Sequence, residues 1–200
     1  MKDKKIVLAS KSPRRREILE NLGVDFEVIE SNADESTVSS DGISVELYVQ
    51  ELALIKAADC AKNVEDDATL IISADTVVSL DNKILGKPKD EEEAFLMLKS
   101  LSGKTHEVYT GFCVMKSDDA DSVCRACKTE VTFKELTDDE ILAYIKTGEP
   151  MDKAGAYGIQ GLGGLLVSGI SGDYLNVGGL PASMLSDVLK NEFGYYIIKE

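Results

Sequence analysis

The sequence predicts an α/β protein built on a mixed β-sheet. Three observations carry that prediction. Strand-like and helix-like patterns alternate through the N-terminal half, as crossover connections between parallel strands require. Two long strand-like runs then face each other across a short polar loop, the pattern of an antiparallel hairpin. A glycine-dense stretch and a further hairpin-like segment follow, which a purely doubly wound sheet would not contain.

The elements follow in chain order. "KIVLA" at 5–9 is an apolar strand, and Ser12-Pro13 opens a helix over 13–22, with Ser as N-cap and Pro at the first helical position. Ile18, Leu19 and Leu22 repeat at helical spacing, and Gly23 is placed to end the helix. A short extended piece, "DFEVIES", precedes an acidic, serine-rich loop at 31–43 and a long helix at 44–62. "TLIISADTVVSL" is a buried strand that continues past an aspartate, with Asp81-Asn82 as its turn. Helix 91–101 has Asp90 as cap, Glu93 to complete a capping box, and Gly103 behind it. "THEVYTGFCVM" and "DSVCRACKTEVTFKEL" pair as a hairpin across "KSDDA". Thr137 and Glu140 form a second capping box that opens helix 138–147. After the glycine stretch "DKAGAYGIQGLGG", "LLVSGISGDYLNV" reads as a hairpin turning at Ser171-Gly172. Pro181 opens a last helix and Gly194 closes it.

Two hundred residues suffice for one domain, or one elongated domain with two lobes, and the expectation is a single domain over 1–200. The net charge of −14 argues against general affinity for nucleic acid polymers or anionic membranes, so any polyanionic ligand must be met by a local basic site. No apolar run approaches the roughly 20 residues that span a bilayer, and the N-terminus lacks the apolar segment of a signal peptide. A cytoplasmic protein with its four cysteines as thiols is expected. "CRAC" has metal-site spacing, but no second pair completes it, and an offset of three in a strand points the two side chains to opposite faces.

Four features could carry chemistry. Arg14, Arg15 and Arg16 fall in the first turn of their helix, where the macrodipole is positive and each exposed cation costs about 0.3–1 kcal/mol. Either they form a solvated patch, or the free N–H groups, Ser10, Ser12 and the guanidinium forks make an anion site. Asp75 lies among β-branched and apolar residues, where an unpaired carboxylate is costly. It is either a ladder-end aspartate bonded to nearby amides or a strand-end carboxylate that holds a divalent cation or takes a proton from water. Glu35, in "NADES", is its candidate acidic partner, although acidic loop residues are usually only solvated.

Three lysines form the third feature. Lys87 is held extended by Pro88, and Lys56 shares a helix face with Val49 and Leu52, so it either snorkels or points its amine inward. Lys153, beside Asp152, reads as half of a surface ion pair. The fourth feature is the glycine stretch, which brackets Tyr157 and Gln160 and matches neither a Walker loop nor G-x-G-x-x-G. It is a tight structural turn or a loop that lets backbone approach a ligand, with Gln160 offering a donor and an acceptor to a base edge. His106 has no nucleophile in a recognisable setting and reads as structural.

"LASKSPRRREIL", "ISADTVV", "GKPKD", "LSGKTHEVYTG" and "GEPMDKAGAYGIQGLGG" occur in the order seen in the Maf family, and the chain resembles a Maf-type nucleoside triphosphate pyrophosphatase over nearly its whole length. The resemblance implies a mixed, twisted sheet with flanking helices and two lobes around a cleft, as in inosine-triphosphate pyrophosphatases. It implies hydrolysis of a nucleoside triphosphate to the monophosphate and pyrophosphate with Mg²⁺ or Mn²⁺, and a homodimer. By the same resemblance Ser10, Arg14, Arg15, Glu35, Lys56, Asp75, Lys87 and Gln160 match site positions. Asp75 matches the proton acceptor, while Arg14, Thr76 and Gln160 match residues that sort substrates. Arg16 extends the usual pair and takes no role. "ADT" with "GIQG" is similar to the branch acting on dTTP and UTP.

With those expectations, Arg14, Arg15, Lys56 and Lys87 clamp phosphates, and Asp75, with Glu35, holds the metal or serves as base; the base reading is preferred. Two other readings stand beside it: a 7-methyl-GTP pyrophosphatase of the same family, and a nucleotide-binding regulator of septum formation in which catalysis is not essential.

Overall fold

Four successive buried residues, Ile6 to Ala9, make β1 (Lys5–Ala9) a strand covered on both faces, the pattern of a central parallel strand. The computed structural model describes residues 4–66, 69–118 and 120–198. After β1 come α1 (Pro13–Asn21), β2 (Glu27–Val28), a 3₁₀ turn at Glu35–Thr37, α2 (Val45–Ala61), β3 (Thr69–Leu80) and β4 (Lys83–Leu85). Next are α3 (Glu91–Leu101), β5 (Thr105–Lys116), β6 (Ser122–Phe133) and α4 (Asp138–Ile145). Three 3₁₀ turns between Glu149 and Leu166 lead to β7 (Val167–Ser171), α5 (Tyr174–Val177) and α6 (Ala182–Phe193). The sheet is open and mixed, with strands in the order β2-β1-β3-β5-β6-β7 and β4 on β3. β1 pairs in parallel with β2 and β3, whereas β4 and β7 pair antiparallel with β3 and β6. The predicted α/β class with a mixed sheet is therefore what the chain forms. Among the described residues no helix is long and apolar enough to cross a membrane.

The chain folds as two compact units, each drawing half of its β3, β5 and β6 segments from the same long strands. The first comprises residues up to Asp75, 110–127, and those from Gly179 on. Its core includes Val7, Ala9 and Ile71 from the sheet, Ala53, Ala57 and Cys60 from α2, and Cys113 and Met115 from β5. Gly111 explains how closely α2 lies on β5, because a Cβ there would stand 2.3 Å from the Val49 backbone. The second unit comprises 76–109 and 128–178. Its core joins Val78, Leu98, Val108 and Phe133 with Ile141 and Tyr144 of α4 and Tyr157 of the glycine-rich segment.

Two local expectations are corrected. The α3 cap is one-sided: Asp90 accepts the Glu93 N–H (2.8 Å), but Glu93 reaches back to the Lys89 N–H (2.8 Å). Asp90 is fully extended (φ −152°, ψ 176°), which turns the Lys89 amide toward the helix. The predicted hairpin at Ser171-Gly172 is instead one edge strand followed by a helical turn. β7 pairs with β6, and Asp173 caps α5 by accepting the N–H groups of Leu175 (2.7 Å) and Asn176 (3.3 Å). The Thr137–Glu140 capping box forms in full, and both Asp81 and Asn82 take positive φ in the β3–β4 turn.

Candidate active site

In the first unit, β3 and α2 position the charged residues together. Ser73 on β3 donates its hydroxyl to the Ala53 carbonyl of α2 (2.6 Å), a buried bond that fixes helix against strand. Two residues further along the same strand face stands Asp75, and one helical turn beyond Ala53 stands Lys56. The Lys56 ammonium lies 2.6 Å from Asp75 Oδ1 and 3.0 Å from Glu35 Oε1. The lysine and the aspartate are 14% and 15% exposed and Glu35 56%, so the cluster opens to solvent on the Glu35 side. Lys56 thus points inward to two carboxylates rather than snorkelling to water.

Glu35 is held in place by a neighbour the sequence reading missed. Asp59, one turn after Lys56 on α2, accepts the Asn32 N–H (2.8 Å) and the Ser31 hydroxyl (3.2 Å), anchoring the loop that carries Glu35. The Asn32 N–H first, then the Lys62 ammonium and the Ser31 hydroxyl, hold the Asp59 carboxyl below its ordinary range. Asp34 caps the 3₁₀ turn from the Ser36 N–H (3.1 Å). Tyr48 of α2 is a second residue missed: burial, then the Asp75 and Glu35 charges, push its phenol up. Neither has a motif, because each depends on which loop the fold lays across α2.

The arginines at the start of α1 differ from one another. Arg14 and Arg15 are half-buried and Arg16 is exposed. Arg15 donates through Nε to the Gly179 carbonyl (2.8 Å) and through Nη1 to Ser10 Oγ (3.1 Å). Ser10 Oγ also accepts the Ser12 N–H (3.2 Å), so the side-chain oxygen at this helix start belongs to Ser10, not Ser12. Burial pulls the Arg15 guanidinium down from its ordinary value, and the Asp75 and Glu35 charges act in the opposite direction. Part of the countercharge for the cations of α1 is therefore the same acidic pair that Lys56 joins.

In the second unit, Thr76 is half-buried on β3, and Lys87 is exposed after β4, beside a buried Pro88. The Gly155 N–H donates to the Gly86 carbonyl (3.0 Å), tying the Lys87 loop to the glycine-rich segment. Gln160 is exposed at the tip of that segment. The segment is shaped by Glu149, a further residue missed in the sequence. Its carboxylate accepts the Tyr144 hydroxyl (2.8 Å) and the N–H groups of Leu162 (2.9 Å) and Gly163 (3.0 Å). Burial would raise its pKa, but these donors outweigh that and hold it below the ordinary value. A Cβ at Gly161 would stand 2.5 Å from this carboxylate, and one at Gly163 2.6 Å from the Gly158 carbonyl. Gly161 is thus needed for backbone to wrap the carboxylate, and Gly163 for the close approach of two backbone segments.

Lys153 is more than a surface partner. It is only 14% exposed, and it donates to the Glu149 carbonyl as well as to Asp152, both at 2.6 Å. His106 is structural as expected: it is 1% exposed, shares a 2.8 Å hydrogen bond with the Tyr157 hydroxyl, and packs edge-on against Phe133.

No group of three acidic, histidine or cysteine side chains poised for a metal occurs among the described residues. Glu35 and Asp75 do, however, converge on one positive charge. Such a pair suits Mg²⁺ or Mn²⁺, which take one or two carboxylates and complete their shell with water and substrate phosphates.

The family model for Maf-like proteins matches residues 5–192. A protein of Thermoanaerobacter sp. (strain X514), named dTTP/UTP pyrophosphatase, is 53% identical over 189 residues, covering 94% of this chain and 97% of its own length. Proteins of the same name from Clostridium beijerinckii and Clostridium perfringens (strain 13) are each 54% identical, over 186 and 188 residues. They cover 93% and 94% of this chain, and 98% and 96% of their own lengths. With a match from the first strand into the last helix and identity above one half, the chain belongs to the Maf-like protein family.

Proposed function

We propose that this protein is a metal-dependent nucleoside triphosphate pyrophosphatase that hydrolyses dTTP and UTP to the monophosphate and pyrophosphate. The observation that carries the reading is the Lys56 ammonium set between Glu35 and Asp75, with Arg15 electrostatically coupled to both carboxylates. A site that only held nucleotide would need the cations, whereas hydrolysis also needs acidic groups. The names of the relatives support dTTP and UTP over 7-methyl-GTP as substrates.

Asp75 takes the proton of the attacking water, and the Lys56 ammonium, 2.6 Å from its Oδ1, holds the carboxylate in place for that transfer. Arg14 and Arg15 bind the phosphates at the N-terminus of α1, where free N–H groups and the helix dipole add to the guanidinium forks. Glu35, together with Asp75, would hold the divalent cation, which supplies neutralisation of the phosphate charge. By the family resemblance, Lys87 binds phosphate, and Thr76 and Gln160 select the pyrimidine base.

Asp75→Asn tests the assignment. It keeps the shape of the side chain and removes the base, so turnover should fall by about 10²–10⁴-fold while circular dichroism remains that of the folded protein. Near-normal turnover in a folded variant would overturn the role of Asp75.

A further inference from the structure

Cys113 and Cys124 stand directly opposite each other on the β5–β6 hairpin. Three pairings fix the register of these strands. The Lys116 N–H donates to the Asp121 carbonyl (2.9 Å), the Phe133 N–H to the Lys104 carbonyl (2.9 Å), and the Thr105 and Thr132 hydroxyls share a bond of 2.8 Å. All three belong to one register, so there is no net slip between the ends of the hairpin. Three residues inward from Lys116 and Asp121 lie Cys113 and Cys124. An odd number of steps from a hydrogen-bonded pair lands on a non-hydrogen-bonded pair, whose Cα atoms approach to about 4.5 Å. That separation lies within the span of about 4.4–6.8 Å that a disulfide bridges.

We propose that Cys113 and Cys124 form a thiol–disulfide exchange site, oxidised by a low-molecular-weight disulfide to a cross-strand disulfide. Cys124 is partly exposed and Cys113 is fully buried, so Cys124 is the sulfur an oxidant reaches. The two side chains hydrogen-bond to each other; this bond first, then burial, pushes the Cys113 thiol up, while the same bond pulls Cys124 down. Cys124 is accordingly the attacking thiolate and Cys113 the resolving thiol. Cys124 attacks one sulfur of the oxidant and expels a thiolate, which takes up the Cys124 proton. Cys113 then attacks Cys124 Sγ and expels the second thiolate, which takes up the Cys113 proton. One protein disulfide forms, and one small disulfide is reduced to two thiols.

The other cysteines do not compete. Cys127 lies three residues along β6 from Cys124 and therefore on the opposite face. Cys60 shares the core with Cys113, but its thiol donates to the Ile29 carbonyl (3.7 Å). The exchange site lies under α2, the helix that carries Lys56, since Ala53 and Ala57 pack in the same cluster as Cys113.

The test is incubation of the reduced full-length protein with oxidised glutathione, followed by alkylation, digestion and mass spectrometry. The expected result is a Cys113–Cys124 linked peptide, loss of two of the four alkylatable thiols, and reversal by dithiothreitol. Cys113→Ser should stop at the glutathione adduct on Cys124, and Cys124→Ser should form neither adduct nor link at Cys113. Retention of all four thiols in the wild type, or a link joining any other pair, overturns the proposal. The wild-type measurement stands even where a variant fails to fold.

Discussion

Acidification should loosen this protein through His106 before it protonates the carboxylates. The ring is buried among Phe133 and Tyr157; one nitrogen meets the Tyr157 hydroxyl, and Nδ1 has no partner among the described residues. Protonation would place an N–H at that orphaned nitrogen and a charge in an apolar site, and burial accordingly lowers the pKa from 6.5 to about 4. The unfolded chain then binds the proton first, so stability is complete above the unfolded value and is lost as pH falls from 6.5 toward about 4. By about pH 5 the loss is about 2 kcal/mol, a sizeable share of the roughly 5–15 kcal/mol of a typical domain. Glu107, Glu140 and Glu149 are also lowered, but from 4.5, so their contributions fade only at more acid pH. The assay is urea unfolding followed by circular dichroism, since the chain has no tryptophan, for wild type and His106→Gln at several pH values between about 7.5 and 5. The wild type should lose stability across that range and His106→Gln should stay nearly level. Parallel curves would show that His106 does not carry the loss of stability.

Two further outcomes follow from the glycine-rich segment. Glu149→Ala removes the acceptor of three donors and should cost about 2 kcal/mol, read as a melting temperature lower by about 4–8 °C; unchanged melting would show that Glu149 does not shape the segment. Gln160→Ala leaves that clamp intact and, on the proposed function, should lower the preference for dTTP over GTP by about tenfold or more, the value of one polar contact to a base edge. A preference equal to that of the wild type would remove Gln160 from base selection.

Legibility in the sequence followed the range of the interaction. β1, β3 and α2 were readable because burial leaves continuous or helically spaced apolar residues, and the Thr137–Glu140 box because its partners are three residues apart. The Lys56 face was readable, but its two choices, inward or snorkelling, were decided by the Ser73–Ala53 bond between distant segments. Asp173 lay in plain view as a cap, yet Ser171-Gly172 imitated a hairpin turn and concealed it. Asp59 and Glu149 were missed for one reason. Each binds backbone N–H groups of a loop that is distant in sequence, and a carboxylate used that way leaves no spacing to detect.

Pyrophosphate release by the purified protein decides the proposed activity, measured with dTTP, UTP, CTP, GTP and 7-methyl-GTP, each with and without Mg²⁺ or Mn²⁺. The expected result is metal-dependent release of one pyrophosphate per nucleotide, fastest with dTTP and UTP. Release from none of the five would contradict the enzymatic reading, and release fastest from 7-methyl-GTP would contradict the assignment of the base.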